Sequence, residues 1–130
     1  MEYLRSLEVA VKSAVIDFKE NKHSIDNIVG MAVDATGSTP IPVNHNMRPL
    51  ADLPAFKNNL NAYAWLWKDH SSVNEALQIT EKAKQLRPAY LKKCGGNYSS
   101  EWFWSKLWHC LNCDPAVFDA AESWVEQSDF

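Results

Sequence analysis

Ile28-Val-Gly-Met-Ala-Val33, then Asp34-Ala-Thr-Gly-Ser-Thr39 and Pro40-Ile-Pro-Val43, is the stretch on which the reading of this chain turns. From Ile28 to Val33 the run is apolar apart from Gly30 and shows no alternation. That pattern predicts a strand buried on both faces, as in a parallel sheet. In open α/β sheets ligands sit beyond the carboxyl ends of strands. Thr36, Gly37 and Ser38 stand at that place: the glycine permits close backbone approach and its neighbours supply hydroxyls. A polar turn that needs a glycine is the plain alternative. No Gly-Lys-Ser/Thr follows, which excludes a Walker phosphate loop. Pro40 and Pro42 restrict the next segment to an edge strand or a short extension.

Before this stretch, Leu4, Leu7, Val11, Ala14, Val15 and Phe18 recur at helical spacing and predict a core-facing stripe. Helix, turn at Ser24–Asn27 and buried strand make half of a βαβ unit, whose leading strand is expected before Met1. After the stretch, Pro49–Asn61 reads as loop, and the apolar run Ala62–Trp67 predicts a second strand ending in Trp67-Lys-Asp-His70. A helix is expected over Val73–Leu86, capped by Ser71 or Ser72, with Glu75 in its first turn and Pro88 as its stop. Val73, Ala76, Leu77, Thr80 and Ala83 form its weak stripe. Cys94-Gly-Gly-Asn97 is a loop. Ser100–Leu111 predicts a helix with Phe103, Trp104, Leu107, Trp108 and Leu111 on one arc, Tyr98 and Trp102 projecting elsewhere. Asp114-Pro115 opens a last helix to about Trp124. Val125–Phe130 reads as the start of a further element.

The 130 residues carry a net charge of −3 and no stripe of Lys and Arg, which argues against nucleic acid. No apolar run approaches the ~20 residues of a membrane span, and the first residues lack the profile of a signal peptide. The expectation is a cytoplasmic, α/β, single-domain chain with its three cysteines reduced. His109-Cys110-x-x-Cys113 is half a zinc pattern at most; Cys94 could add to it only through folding. Cysteines in a last helical turn commonly pack as small hydrophobes, so no metal ligand is assigned.

Four stretches, Val29–Val43, Leu66–Ser71, Gly95–Lys106 and Asp114–Glu126, resemble in order and spacing the FGGY carbohydrate kinases. The likeness is to the branch that acts on ketopentoses such as L-ribulose. It implies transfer of the γ-phosphoryl of ATP, with Mg²⁺, to a sugar hydroxyl, giving L-ribulose 5-phosphate in arabinose catabolism. It implies a ribonuclease H-like, actin-type fold with a mixed sheet and flanking helices. Residues 1–130 would be an interior part of the N-terminal, sugar-binding domain, truncated at both ends. The family's phosphate loop and catalytic Asp would lie outside the chain, which is then expected to be inactive alone and to need no cofactor. By position, the resemblance implies sugar contacts at Thr36, Gly37, Ser38, Lys68, Asp69, Glu101 and Trp102. Many relatives carry Arg where Ser71 stands. Lys106 fits a lysine of the family's helix and receives no catalytic role. Expected partners are the sugar and the rest of the kinase, with self-association through an exposed sheet edge or aromatics. The alternative is a non-catalytic ketose- or partner-binding module. A metal-binding protein using Cys94, His109, Cys110 and Cys113 is a third reading.

Overall fold

The computed structural model of the chain describes residues 2–130. The backbone groups into two compact units, one ending at Val33 and one spanning Asp34–Phe130.

In the first unit the predicted helix forms as α1, Glu2–Glu20. Its stripe is not a core: Leu4, Leu7 and Val11 are exposed, and only Val15 and Phe18 are half-buried. Within its unit the helix has beside it the single 3₁₀ turn Ile25–Asn27, capped by Ser24, too little chain to cover the stripe. The predicted strand Ile28–Val33 does not form. The segment has no regular structure, and Val29 is 99% exposed. A strand buried on both faces needs neighbours on its edges and layers above and below. Among the described residues no strand pairs with it.

α1 ends through a left-handed residue. Lys22 has φ 63°, and the His23 N–H reaches back to the Phe18 carbonyl at 3.1 Å. This is the C-terminal cap in which glycine is favoured, because a side chain in that conformation costs about 1–2 kcal/mol. Lys22→Gly should therefore stabilise the end of α1 by about 0.5–1 kcal/mol after the entropy cost of glycine. Slower amide exchange at Asn21–His23 would register it, and unchanged or faster exchange would count against the cap.

The second unit holds β1 (Pro40–Val43), α2 (Val73–Leu86), α3 (Pro88–Lys93), α4 (Phe103–Cys113), α5 (Pro115–Ala120) and β2 (Ser123–Glu126). It is α/β, mostly helical, with a two-stranded antiparallel sheet rather than a larger mixed one. β1 pairs with β2 in the register Ile41↔Val125. The Gln127 N–H donates to the Thr39 carbonyl at 3.1 Å. Antiparallel bonding alternates, so the ladder runs through Thr39, Ile41 and Val43. The two prolines fall on positions that face away from β2, where a missing N–H costs nothing. On that far edge Pro40 accepts a hydrogen bond from the Trp65 N–H, 3.0 Å.

That bond is all that remains of the second predicted strand. Ala62–Trp67 instead follows a 3₁₀ turn at Leu60–Ala62 and runs irregularly, with Trp65 turned inward. The core is Leu50, Ala62, Trp65, Cys110 and Val117, with Phe56, Phe118 and Trp124 against it. The last helix stops at Ala120, four residues short of the expected end, because Ser123–Glu126 takes the open edge of β1. There the Glu126 carboxylate accepts the Thr39 N–H at 2.8 Å.

Two helix faces differ from their predicted stripes. α4 buries Ser105, Lys106, Leu107 and Cys110 and leaves Trp104 and Leu111 open. α2 buries Glu75, Ala76 and Thr80 and leaves Val73 and Leu77 open. In both, polar side chains on the inner face find partners, which offsets the cost of burying them. Tyr98 and Trp102 meet edge to face at 5.0 Å. Among the described residues no helix is long and apolar enough to cross a membrane.

Candidate functional site

The site is organised by a buried cation. Lys106, near the start of α4, is fully buried, and its Nζ donates to the Ser38 carbonyl at 2.6 Å and the Leu66 carbonyl at 2.7 Å. One ammonium thus joins the Thr36–Ser38 loop, ahead of β1, to the loop that carries Lys68 and Asp69. Burial pushes its pKa down, against the opposing charges of Asp69, Glu126 and Glu101. Ser38 is held in the left-handed region, φ 57°. Strain of this kind persists only where the surroundings fix it, and Lys106 grips the strained residue by its carbonyl.

Gly37 is not itself left-handed; a Cβ built there would meet nothing within 4 Å. Thr36 Oγ1 lies 3.0 Å from Thr39 Oγ1 and donates to Gln127 Oε1 at 3.2 Å. Asp69 Oδ1 accepts the Ser71 N–H at 2.8 Å and the Ser71 hydroxyl at 2.5 Å. Burial alone would raise the Asp69 carboxyl; the Ser71 bonds and the charges of Lys106 and His109 outweigh it and hold the pKa below the usual value. Asp69 therefore stands as a carboxylate, an acceptor for hydroxyls.

A cavity of about 500 Å³ opens beside these groups, lined among others by Trp65, Leu66, Lys68, Asp69, Ser71 and His109. Of the sequence-predicted residues, Lys68 and Asp69 line it, whereas Thr36, Gly37, Ser38, Glu101 and Trp102 do not. Glu101 is tied elsewhere: its Oε1 is 3.3 Å from His70 Nε2, and His70 Nδ1 is 3.2 Å from Ser100 Oγ. Trp102 is occupied by Tyr98, whose hydroxyl accepts the Trp104 N–H.

No family model matches the chain. A ribulokinase of Vibrio parahaemolyticus is 41% identical to it over 130 residues, 99% of this chain and 23% of that protein. The ribulokinase of Shouchella clausii is 34% identical over 82% of the chain, and that of Staphylococcus aureus 34% over 99%. The chain matches one segment of ribulokinase. It spans about a fifth of the length of these curated relatives.

In this ribulokinase-like segment, sequence reasoning missed the part Lys106 plays, together with His70, Glu75 and His109. A lysine one position from an aromatic arc gives no sign of which side it faces. Glu75 read as a helix-start acid, yet it is buried, with Oε1 accepting Asn112 Nδ2 at 2.9 Å. The metal alternative finds no donor set: among the described residues no group of three or more His, Cys, Asp or Glu could hold an ion. Cys110 lies in the core, where burial pushes its thiol up to about 12. A neutral thiol is a poor ligand.

Proposed function

We propose that the chain is an interior part of the sugar-binding, N-terminal domain of an ATP-dependent kinase that converts L-ribulose to L-ribulose 5-phosphate in the cytoplasm. The full domain would have the ribonuclease H-like, actin-type fold. The observation that carries the reading is Lys106, which holds the Ser38 and Leu66 carbonyls and so sets the two sugar-loop candidates against each other. The relatives' name supplies the substrate class. Thr36, Gly37, Ser38, Lys68, Asp69, Glu101 and Trp102 are the proposed sugar-side residues. Within this set Asp69 would accept from a sugar hydroxyl, Lys68 would donate to one, and the open space at Gly37 would admit the ketose chain.

ATP and Mg²⁺ belong to the remainder of such a kinase. The chain's contribution is to bind and orient the sugar, while phosphoryl transfer needs positioning and charge that it does not provide.

Titration of the ¹⁵N-labelled chain with L-ribulose tests this. The amides of Thr36, Gly37, Lys68 and Asp69 should shift, while ATP, Mg²⁺ and L-ribulose together should yield no sugar phosphate. A dispersed spectrum that stays still at millimolar sugar would remove the sugar site from this chain. Product formation would overturn the assignment of catalysis to the missing remainder.

A further inference from the structure

His109 sits in the wall of the cavity that Lys68 and Asp69 share. Its Nδ1 is 3.2 Å from Glu75 Oε2, within ion-pair distance, and neither of these buried atoms has a hydrogen-bond partner. Glu75 is in turn held through Oε1 by Asn112, and Trp65 meets the imidazole ring edge-on at 5.9 Å. α2 supplies Glu75; α4 supplies both His109 and Asn112. A carboxylate behind one ring nitrogen favours the proton there and orients the ring. The other nitrogen, Nε2, is left for the cavity.

We infer that His109, positioned by Glu75 and Asn112, is a further polar group of this cavity, beside Asn61, Lys68, Asp69 and Ser71, and hydrogen-bonds a hydroxyl of a neutral polyhydroxy ligand. The inference rests on the ketose reading above and adds a residue to it. The donor set selects the ligand class. Lys68 only donates, the Asp69 carboxylate only accepts and already holds the Ser71 hydroxyl, and the imidazole adds a directed bond beside these. A sugar hydroxyl both donates and accepts, so it suits all three. An anion would face the Asp69 carboxylate, and a cation would face Lys68. Leu60, Trp65 and Leu66 give the apolar surface that sugar C–H groups pack on. The volume suits a small molecule.

The test titrates the parent chain, His109→Phe and Glu75→Gln with L-ribulose, reading backbone amides and the His109 ring nitrogens separately. In the parent, the Lys68 and Asp69 amides and His109 Nε2 should move together. His109→Phe should weaken binding about tenfold, the worth of one good hydrogen bond. Glu75→Gln should weaken it less and alter the ring nitrogen pattern before any sugar is added. His109→Gln, which keeps a polar tip, should recover part of the loss. Movement of Lys68 and Asp69 with a silent His109 ring, and equal affinity in His109→Phe, would overturn this inference and leave the ketose site standing. No movement at any of the three would overturn both.

Discussion

Lys106→Met should lower the unfolding free energy of the second unit by about 2–4 kcal/mol in urea denaturation. The methionine keeps the length and the packing of the stem, so little cavity forms. What is lost is the ammonium. The Ser38 and Leu66 carbonyls lose their bonds to Lys106, and a buried acceptor left unpaired costs about 1–3 kcal/mol. Asp69, Glu101 and Glu126 lose the cation they surround. Against this stands the desolvation of a fully buried lysine, which methionine avoids. The two unpaired carbonyls and the uncompensated carboxylates outweigh that gain, because the partners stay in place when the cation goes. The change should also release Ser38 from φ 57°, seen as new chemical shifts at Thr36–Thr39. Stability within about 0.5 kcal/mol of the parent, with those shifts unchanged, would show that Lys106 does not hold the loops.

Lys106 also marks where the sequence stops being legible. The bounds of α2 were readable to the residue, but the expected serine cap was not what fixes its start: the Ser72 hydroxyl makes no cap bond and donates instead to the Ser100 carbonyl at 2.7 Å. The Asp114-Pro115 start of α5 was readable because its cap acts locally. Thr36–Ser38 and Lys68–Asp69 could be singled out as candidates from pattern and resemblance. Their connection could not, because it runs through a side chain 68 residues from one loop and 40 from the other. Apolar runs misled most. Ile28–Val33 and Ala62–Trp67 both read as buried strands, but such a run states only that it must be covered, not by what. The first is open, and in the second only Ala62 and Trp65 are buried while Tyr63, Leu66 and Trp67 stay exposed. β2 was hidden because Trp124 continued the helical spacing of α5. Its strand state comes from the edge of β1, 80 residues earlier in the pairing Val43↔Ser123.

Asp114→Ala should cost about 2–3 kcal/mol and should flatten the acid limb of the stability profile. Asp114 caps α5, with Oδ1 accepting the Val117 N–H at 3.3 Å. Loss of such a cap is worth about 1 kcal/mol. Its Oδ2 also accepts the side-chain amides of Asn59 at 2.7 Å and Asn61 at 3.1 Å. Those bonds tie the 3₁₀ turn before Trp65 to the helix that carries Val117, two core residues apart in sequence but joined at one carboxylate. Unpairing the two amides supplies the rest of the loss. The Asn59 and Asn61 bonds, foremost, hold the Asp114 carboxyl below its usual pKa. A carboxyl lowered in the folded state adds stability that is complete above its unfolded pKa and disappears as pH falls through the folded value. The parent should therefore lose stability below about pH 4, and Asp114→Ala should lose less over the same interval. Asp69 and Glu75 are lowered too, so some acid sensitivity will persist. Asp114→Asn separates charge from capping: asparagine caps well, so it should retain most of the α5 stability while showing the flattened limb. An Asp114→Asn profile as steep as the parent's would place the acid sensitivity in the other two carboxylates.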